Sequence, residues 1–169
     1  MKETTQPEIV VGVSGSRASV AALRWAADEA LRRRSRLSVV CAWDHRLRPA
    51  HYAEVGEKHA PADVRAALHS DLAAAMRAAF GPVPPDSVDA ELAEGVPERV
   101  LIDRSAIAAL LVLGAARPQD AHGLSVGPVL RACLSSARCP VVVVSAAAGQ
   151  DAGRQPDSAR ATRESALTG

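Results

Sequence analysis

Two predicted loops contain residues that could bind a phosphate or a nucleotide, judged from the residue types and their spacing. The first, GVSGS at positions 12–16, places Ser14 between two glycines directly after an apolar run. The second spans positions 114–129, follows the apolar run LLVL at 110–113, and closes with Gly127 before a helical pattern. A loop that joins a parallel strand to a helix N-terminus often binds phosphate, because the first backbone N–H groups of the helix point outward. The two loops therefore indicate an anion or nucleotide site.

Neither loop carries a catalytic signature. The pattern GxxxxGK[ST] does not occur, and GVSGSRAS fits neither GxGxxG nor GxSxG. Ser14 is therefore better explained as a turn residue than as a nucleophile, and no pair of carboxylates forms an acid–base couple. We predict that the chain is not an enzyme. The alternative, hydrolysis of a nucleotide or phosphoester, would need an activated nucleophile, and His122 in the second loop is better explained as an exposed polar residue.

The histidines and cysteines do not have the spacing of a metal site or of a disulfide framework. Three histidines, His45, His51 and His59, lie in one polar connection. The three cysteines, Cys41, Cys133 and Cys139, are spread along the chain. The three histidines fit no helical i,i+4 pair or tight chelate, and the cysteines are odd in number with no CxxC. We predict no metal site, and expect Cys41 to be a small buried hydrophobic residue.

Composition excludes several classes of function. The chain has 169 residues, a length typical of one domain, with 48 % hydrophobic but only 2 % aromatic residues. Its formal net charge of +1 gives no electrostatic reason to bind nucleic acid or an anionic membrane. The first residues contain no apolar signal region, and no run reaches transmembrane length. We expect a cytoplasmic protein.

Apolar periodicity predicts strict alternation of strands and helices. Strands are expected at 8–13, 37–43, 88–93, 110–113 and 140–145, and helices at 17–34, 61–80, 97–107 and 127–136. Ser16 is the expected N-cap of the first helix. The apolar face of that helix is expected to comprise Val20, Leu23, Ala27, Ala30 and Leu31. Strict alternation is typical of a single α/β domain, an open parallel sheet with helices on both faces. Residues 1–7 form a short extension, and residues 146–169 read as a disordered tail.

Four separated blocks resemble the universal stress protein family. They are VGVSGSRASVAALRWAADEA after the first strand, the EG-x-P element at 94–97, LLVLG at 110–114, and GLSVGPVLRACLSSARCPVVVV at 123–144. The resemblance covers about residues 9–145. It implies a Rossmann-like, five-stranded parallel sheet with strand order 3-2-1-4-5. It also implies a homodimer, and nucleotide binding in many members but not all.

The ATP-binding branch implied by this resemblance has a loop of the form G-x2-G-x9-G-[ST], which this sequence matches only in part. Gly114 and Gly127 match the first and third glycines, whereas Arg117 and Pro128 stand at the second glycine and the final Ser/Thr. Proline offers neither a hydroxyl nor a backbone N–H to a phosphate, although the N–H of Val129 remains.

Two further positions concern the nucleoside end of such a ligand. The resemblance implies an aspartate after the first strand, where this sequence has Ser14, and it places Ala42 at the position where a backbone group meets adenine in nucleotide-binding members. Each lost polar contact costs roughly 1–3 kcal/mol, so the resemblance implies weak ATP binding or none.

These observations lead to one prediction and one alternative. We predict a non-enzymatic stress-response or regulatory homodimer without a required cofactor, acting on an unknown protein partner. Its interface is expected at the β-branched last strand, Val141, Val142, Val143 and Val144, if the strand lies at a sheet edge. The other explanation of this strand is burial by its own helices and the tail. The alternative function is an ATP or adenine-nucleotide sensor that uses the loop at 114–129.

Overall fold

The computed structural model describes residues 7–44, 61–115 and 126–145. Within these ranges the alternation of strands and helices is the predicted one. The elements are β1 (Glu8–Gly12), α1 (Arg17–Arg33), β2 (Arg36–Trp43), α2 (Pro61–Phe80), β3 (Val88–Glu94), α3 (Pro97–Ser105), β4 (Leu110–Ala115), α4 (Pro128–Ser136) and β5 (Val141–Ser145). Most ends agree with the prediction to within one or two residues, the usual uncertainty at a frayed end.

The strands form one parallel sheet in the order β3-β2-β1-β4-β5, which confirms the predicted fold. Val11 on β1 is in register with Val39 on β2 and with Val112 on β4. The chain therefore winds outward from β1 to β3 on one side, then returns to start again at β4 on the other. Ligands of such sheets bind where the winding reverses, outside the carboxyl ends of the strands. That point lies between β1 and β4.

Helices cover both faces of the sheet. Successive side chains of a strand point to opposite faces, so Ile9 and Val11 pack with α1 and α2, whereas Val10 packs with α3 and α4. All three side chains are fully buried. The core is thus two aliphatic layers with few aromatic side chains, and it holds the carboxyl ends of the central strands in fixed positions.

The predicted apolar face of α1 is wrong at its end. Leu31 is 81 % exposed, although Leu23 and Ala30 are buried as expected. The buried stripe runs through Ser19, Leu23, Ala26 and Ala30, and Leu31 lies about 100° further around the helix. The N-cap prediction is confirmed, because the Oγ of Ser16 accepts a hydrogen bond of 3.2 Å from the backbone N–H of Ser19.

The two edges of the sheet differ in charge. β3 carries Asp89 and Glu91, which form ion pairs with Arg36 and Arg104 respectively, and most of its residues are half-buried or exposed. β5 consists of four valines and a serine, of which only Val144 is fully buried. Charges on an edge strand discourage pairing with another chain. Only the β5 edge has the apolar character that would favour such pairing.

Several predictions fall on residues outside the described ranges. They concern Arg117 and His122 in the second loop, the three histidines His45, His51 and His59, and the expected tail at 146–169. In the part of the chain that the structure describes, no helix is long and apolar enough to cross a membrane.

Candidate functional site

A cleft of about 710 Å³ opens at the carboxyl ends of β1, β2 and β4, where the winding of the sheet reverses. Its rim is formed by residues 12–16 after β1, residues 40–44 at the end of β2, and Leu113 with Gly114 on β4. Helices α1, α2, α3 and α4 contribute the other walls. A volume between roughly 300 and 1,000 Å³ is typical of sites for small molecules and cofactors. The cleft has the size and the position expected for such a site in this architecture.

The inner wall of the cleft is apolar. Val40, Leu101, Leu113 and Leu130 line it and are almost completely buried. Ser14 and Ser16 also line the cleft and are exposed, whereas the lining Ser19 is buried. An apolar wall with few polar groups suits the flat ring of a base better than a highly charged ligand.

Four of the predicted binding residues line this cleft: Ser14, Ala42, Gly114 and Val129. Gly127 and Pro128 immediately precede Val129 and begin α4, but they do not themselves line the cleft. The structure thus brings together residues that are far apart in the sequence, at the carboxyl ends of β1, β2 and β4.

The serines after β1 form the start of α1. The hydroxyl of Ser14 donates a hydrogen bond of 3.3 Å to the Oγ of Ser16, and the hydroxyl of Ser19 donates one of 2.8 Å to the backbone carbonyl of Ser16. Each hydroxyl is therefore engaged locally, as in a helix cap. No histidine is among the described residues that line the cleft.

The two glycines matched to the phosphate loop have different physical reasons to be glycine. A Cβ at Gly114 would lie 2.3 Å from the backbone oxygen of Ala18 and 2.6 Å from the backbone nitrogen of Ser19. Gly114 therefore allows α1 to pack closely on β4. A Cβ at Gly127 would meet nothing within 4 Å, and its φ of −67° suits any residue. The described fold therefore does not require glycine at 127.

The first turn of α4 offers backbone N–H groups to an anion. Gly127 is the N-cap, without a side-chain hydrogen bond, and Pro128 is the first helical residue. The backbone N–H of Arg131 makes the first helical bond, of 3.0 Å, to the carbonyl of Gly127. The N–H groups of Val129 and Leu130 precede that bond and have no partner within the helix. Pro128 has no N–H, so the described part of this turn offers the N–H groups of Val129 and Leu130.

Sequence reasoning missed two carboxylates in the cleft. Asp44 follows β2, and Asp71 lies on α2, an element that no motif connected with the loops. These are the charged side chains among the described lining residues, which include no lysine or arginine. The signal for Asp71 was present in the sequence, because it lies on the same helical face as Leu68, Leu72 and Ala75, all of them buried. This face of α2 borders the cleft.

The cysteine on the cleft wall is not a reactive thiolate. Cys41 is buried, as predicted, and that burial, with a smaller contribution from the nearby carboxylate of Asp71, raises the pKa of its thiol to about 11. A thiol with this pKa stays protonated near neutral pH and is a poor nucleophile. In the described ranges no group of three or more histidine, cysteine or acidic side chains could hold a metal ion.

Comparison with known proteins identifies the family. The sequence profile described as "Universal stress protein family" matches residues 7–145, which includes every described strand and helix. The chain belongs to the universal stress protein family. The resemblance seen in the sequence is therefore confirmed, and the cleft lies on the fold shared by the family's solved structures.

The relatives show how far the similarity extends. Universal stress protein Rv3134c from Mycobacterium tuberculosis is 35% identical over 136 residues, which are 80% of this chain and 47% of that protein. The chain thus spans about half the length of the curated relatives it matches. The solved structure of universal stress protein UspA from Lactobacillus plantarum is similar with a TM-score of 0.61 and 23% identity, covering 84% of this chain and 99% of that one.

A second solved structure carries information about ligands. The universal stress protein from Archaeoglobus fulgidus in complex with dAMP is similar with a TM-score of 0.57 and 21% identity, over 83% of this chain and 99% of that chain. At these identities the structural similarity establishes the fold. The ligand named there belongs to that protein.

Proposed function

We propose that this universal stress protein is a non-enzymatic regulatory module that binds an adenine mononucleotide in the cleft and binds ATP only weakly. The observation that carries the proposal is the charge of the cleft, whose described lining residues include Asp44 and Asp71 and no lysine or arginine. Each phosphate added to a ligand adds negative charge, which two carboxylates oppose. A single phosphate matches the N–H groups available at the start of α4. The dAMP bound by the Archaeoglobus relative supports the same class of ligand.

A non-enzymatic role is supported by the chemistry of the cleft wall. The hydroxyl of Ser14 is bonded within the cap of α1, and Cys41 is held in its neutral form. A hydroxyl that is bonded within a helix cap and a thiol that stays protonated are both poor nucleophiles. Occupancy of the cleft would then act by stabilising one arrangement of a surface that a protein partner recognises.

We expect AMP to bind at least about 10-fold more tightly than ATP, a difference of about 1.4 kcal/mol. The measurement is isothermal titration calorimetry of the full chain with AMP and with ATP, after mass spectrometry has shown what nucleotide copurifies. Trp43 lines the cleft and offers a second readout, through its fluorescence in a Trp25→Phe variant. Copurification of stoichiometric ATP, or tighter binding of ATP than of AMP, would contradict the proposal and favour an ATP sensor.

The same titration distinguishes the contribution of the helix start. Pro128→Ser adds one N–H and one hydroxyl at the first turn of α4, and is expected to improve ATP affinity about 10-fold. Pro84→Ser, an exposed proline in the connection before β3, is the control and should leave ATP affinity unchanged.

We further propose that the protein forms a homodimer by pairing β5 with β5 of a second copy. The support is the contrast between the charged β3 edge and the apolar β5 edge, together with the half-buried state of Val141, Val142 and Val143. Covering these valines would remove apolar area and hydrogen-bonding groups from water, which favours association.

Val142→Lys is expected to convert a dimer into a monomer, because it places a charge in the middle of the proposed interface. Native mass spectrometry and light scattering measure this directly. Ala90→Lys places a charge at an exposed position of β3, the opposite edge, and should leave the dimer intact. A monomeric unmodified protein, or a monomer produced by Ala90→Lys alone, would contradict the proposed interface.

A further inference from the structure

Trp25 is a large aromatic residue on one flank of α1, and it is half-buried. It packs against the core cluster on the face of the sheet that α1 and α2 cover. Ala26, at the middle of the buried stripe of α1, is fully buried, and Trp25 lies about 100° around the helix from it. Part of the Trp25 side chain therefore stays at the surface, on the side of the helix.

The flank of α1 that carries Trp25 faces the β5 edge of the sheet. On this face α2 contacts β3, whereas α1 contacts β1, β4 and β5, so α1 lies between α2 and the β5 edge. The β1–α1–β2 connection is expected to be right-handed, as is the turn of the helix, and together they fix which flank is which. Val20 and Ala27 lie on the flank towards α2, and Trp25 lies on the other flank. The exposed part of its ring thus points over the edge that β5 forms.

The packing of α1 on β4 also fixes the height of Trp25 along the sheet. A Cβ at Gly114 would lie 2.3 Å from the backbone oxygen of Ala18, and Gly114 is in register with Val144 on β5. From Ala18 to Trp25 the helix rises about 10 Å, which is also the length of about three residues of a strand. Because α1 runs antiparallel to the strands, Trp25 is level with Val141. It therefore lies beside β5 rather than beyond its end.

Pairing of β5 alone would be too small an interface for a stable dimer. A standard protein–protein interface buries about 1,200–2,000 Å² in total and takes roughly 20–30 residues from each side. β5 has 5 residues. If two copies join at β5, most of the interface must therefore come from the elements that flank this strand. On the face of the sheet that holds Trp25, the described element beside β5 is α1.

The geometry of such a dimer requires a large side chain on this flank of α1. A two-fold axis perpendicular to the sheet makes the two β5 strands antiparallel and places both α1 helices on the same face. Since α1 contacts β1, β4 and β5, its axis lies near β4, and the two axes would be about 14 Å apart, three strand spacings. Helices in direct contact are about 8–10 Å apart. Trp25 is long enough to bridge the difference, whereas Ala21, one turn earlier, is not.

We propose that Trp25 of each copy packs against α1 of the other copy and supplies most of the affinity of the homodimer. Pairing of β5 would then fix the alignment of the two chains. This inference rests on the proposed β5 dimer and assigns its affinity to a residue of a different element. Tryptophan buries a large apolar area at a small cost in side-chain entropy, and it is among the residues that dominate the energy of protein–protein interfaces.

The first test uses the fluorescence of Trp25 itself and leaves the proposed interface unchanged. The chain has two tryptophans, so the full-length Trp43→Phe variant has Trp25 as its one fluorescent indole. Quenching by acrylamide is measured across a dilution series, while light scattering follows the fraction of dimer. Quenching of Trp25 should rise as the dimer dissociates, because its ring becomes exposed to solvent. Quenching that stays constant while the dimer dissociates would overturn the inference.

The second test compares dimer dissociation constants by analytical ultracentrifugation. Trp25→Ala should raise the dimer Kd about 30-fold or more, the effect typical of an interface residue that dominates binding. Leu31→Ala is the matched control, because Leu31 is another large apolar residue of α1, is 81 % exposed, and lies about 120° around the helix, towards α2. It should leave the Kd unchanged. Circular dichroism establishes that each variant is folded.

The outcomes separate this inference from the dimer on which it rests. A dimer that Val142→Lys dissociates but folded Trp25→Ala does not would keep the proposed interface and overturn the role of Trp25. Equal weakening by Trp25→Ala and Leu31→Ala would overturn it as well. An unmodified protein that is monomeric at all concentrations would instead overturn the proposed dimer. The quenching test remains decisive if Trp25→Ala does not fold.

Discussion

Gly114→Ala is expected to lower the free energy of unfolding by about 3 kcal/mol or more, at the upper end of the range for overpacked cores. The added Cβ would lie 2.3 Å from the backbone oxygen of Ala18 and 2.4 Å from its carbonyl carbon. Backbone atoms of a helix cannot turn aside as the end of a side chain can, so α1 must move as a unit away from β4. Urea unfolding followed by circular dichroism measures the change.

Gly127→Ala is the matched control for that substitution. Both glycines fit the same loop pattern, yet a Cβ at Gly127 meets nothing within 4 Å. Alanine is a poorer N-cap than glycine, which destabilises the folded state. Alanine also restricts the unfolded chain more than glycine does, which has the opposite effect on stability. The free energy of unfolding is therefore expected to change by no more than about 1 kcal/mol. Similar losses from Gly114→Ala and Gly127→Ala would show that close helix packing is not the reason for glycine at 114.

Raising the pH from about 8 to about 10.5 is expected to lower the free energy of unfolding by roughly 2 kcal/mol for each of Cys41 and Cys133. Burial raises the pKa of both thiols from 9.0 to about 11, with smaller contributions from Asp71 and Glu98 respectively. The unfolded thiols therefore lose their protons first. The stabilisation is fully present below about pH 9 and is lost as the pH rises towards the folded value.

Unfolding curves at the two pH values, for the unmodified protein and for Cys41→Ala and Cys133→Ala, test this directly. Each variant should lose less stability between the two pH values than the unmodified protein, because one titrating thiol is gone. Lysine and tyrosine titrate in all three proteins, so their contribution cancels in the comparison. The same loss in all three would mean that the buried thiols do not control alkaline stability.

The fold could be predicted from the sequence because its signals are local and repeated. Each apolar run has a length typical of a strand or a helix, and Ser16, Pro61 and Pro97 mark helix starts. The face of α1 was harder to predict. Alanine occurs all round that helix, so the pattern could not show whether Ala30 or Leu31 points inward.

The site residues could be predicted from the sequence only where they lie in or beside a loop that follows a strand. Ser14, Gly114 and Val129 lie in or beside loops at the carboxyl ends of strands, and a general rule of parallel sheets points to those loops. Asp71 lies on a helix that no motif connects with them, and only the packing of α2 brings it to the cleft. The packing reason for glycine at 114 could not be predicted from the sequence either, because it depends on the distance between α1 and β4 in the folded chain.

The difference between the two edges of the sheet also bears on how large an assembly can become. Two copies that join through β5 would form one continuous sheet that ends in β3 on both sides, where Asp89 and Glu91 carry charge. No apolar edge would then remain for a third copy. An interface in which both copies use the same edge closes the assembly at two chains. Two different edges that could pair with each other would instead allow open-ended growth into fibres. In the proposed dimer, the distribution of charge along the strands would limit aggregation as well as select the partner.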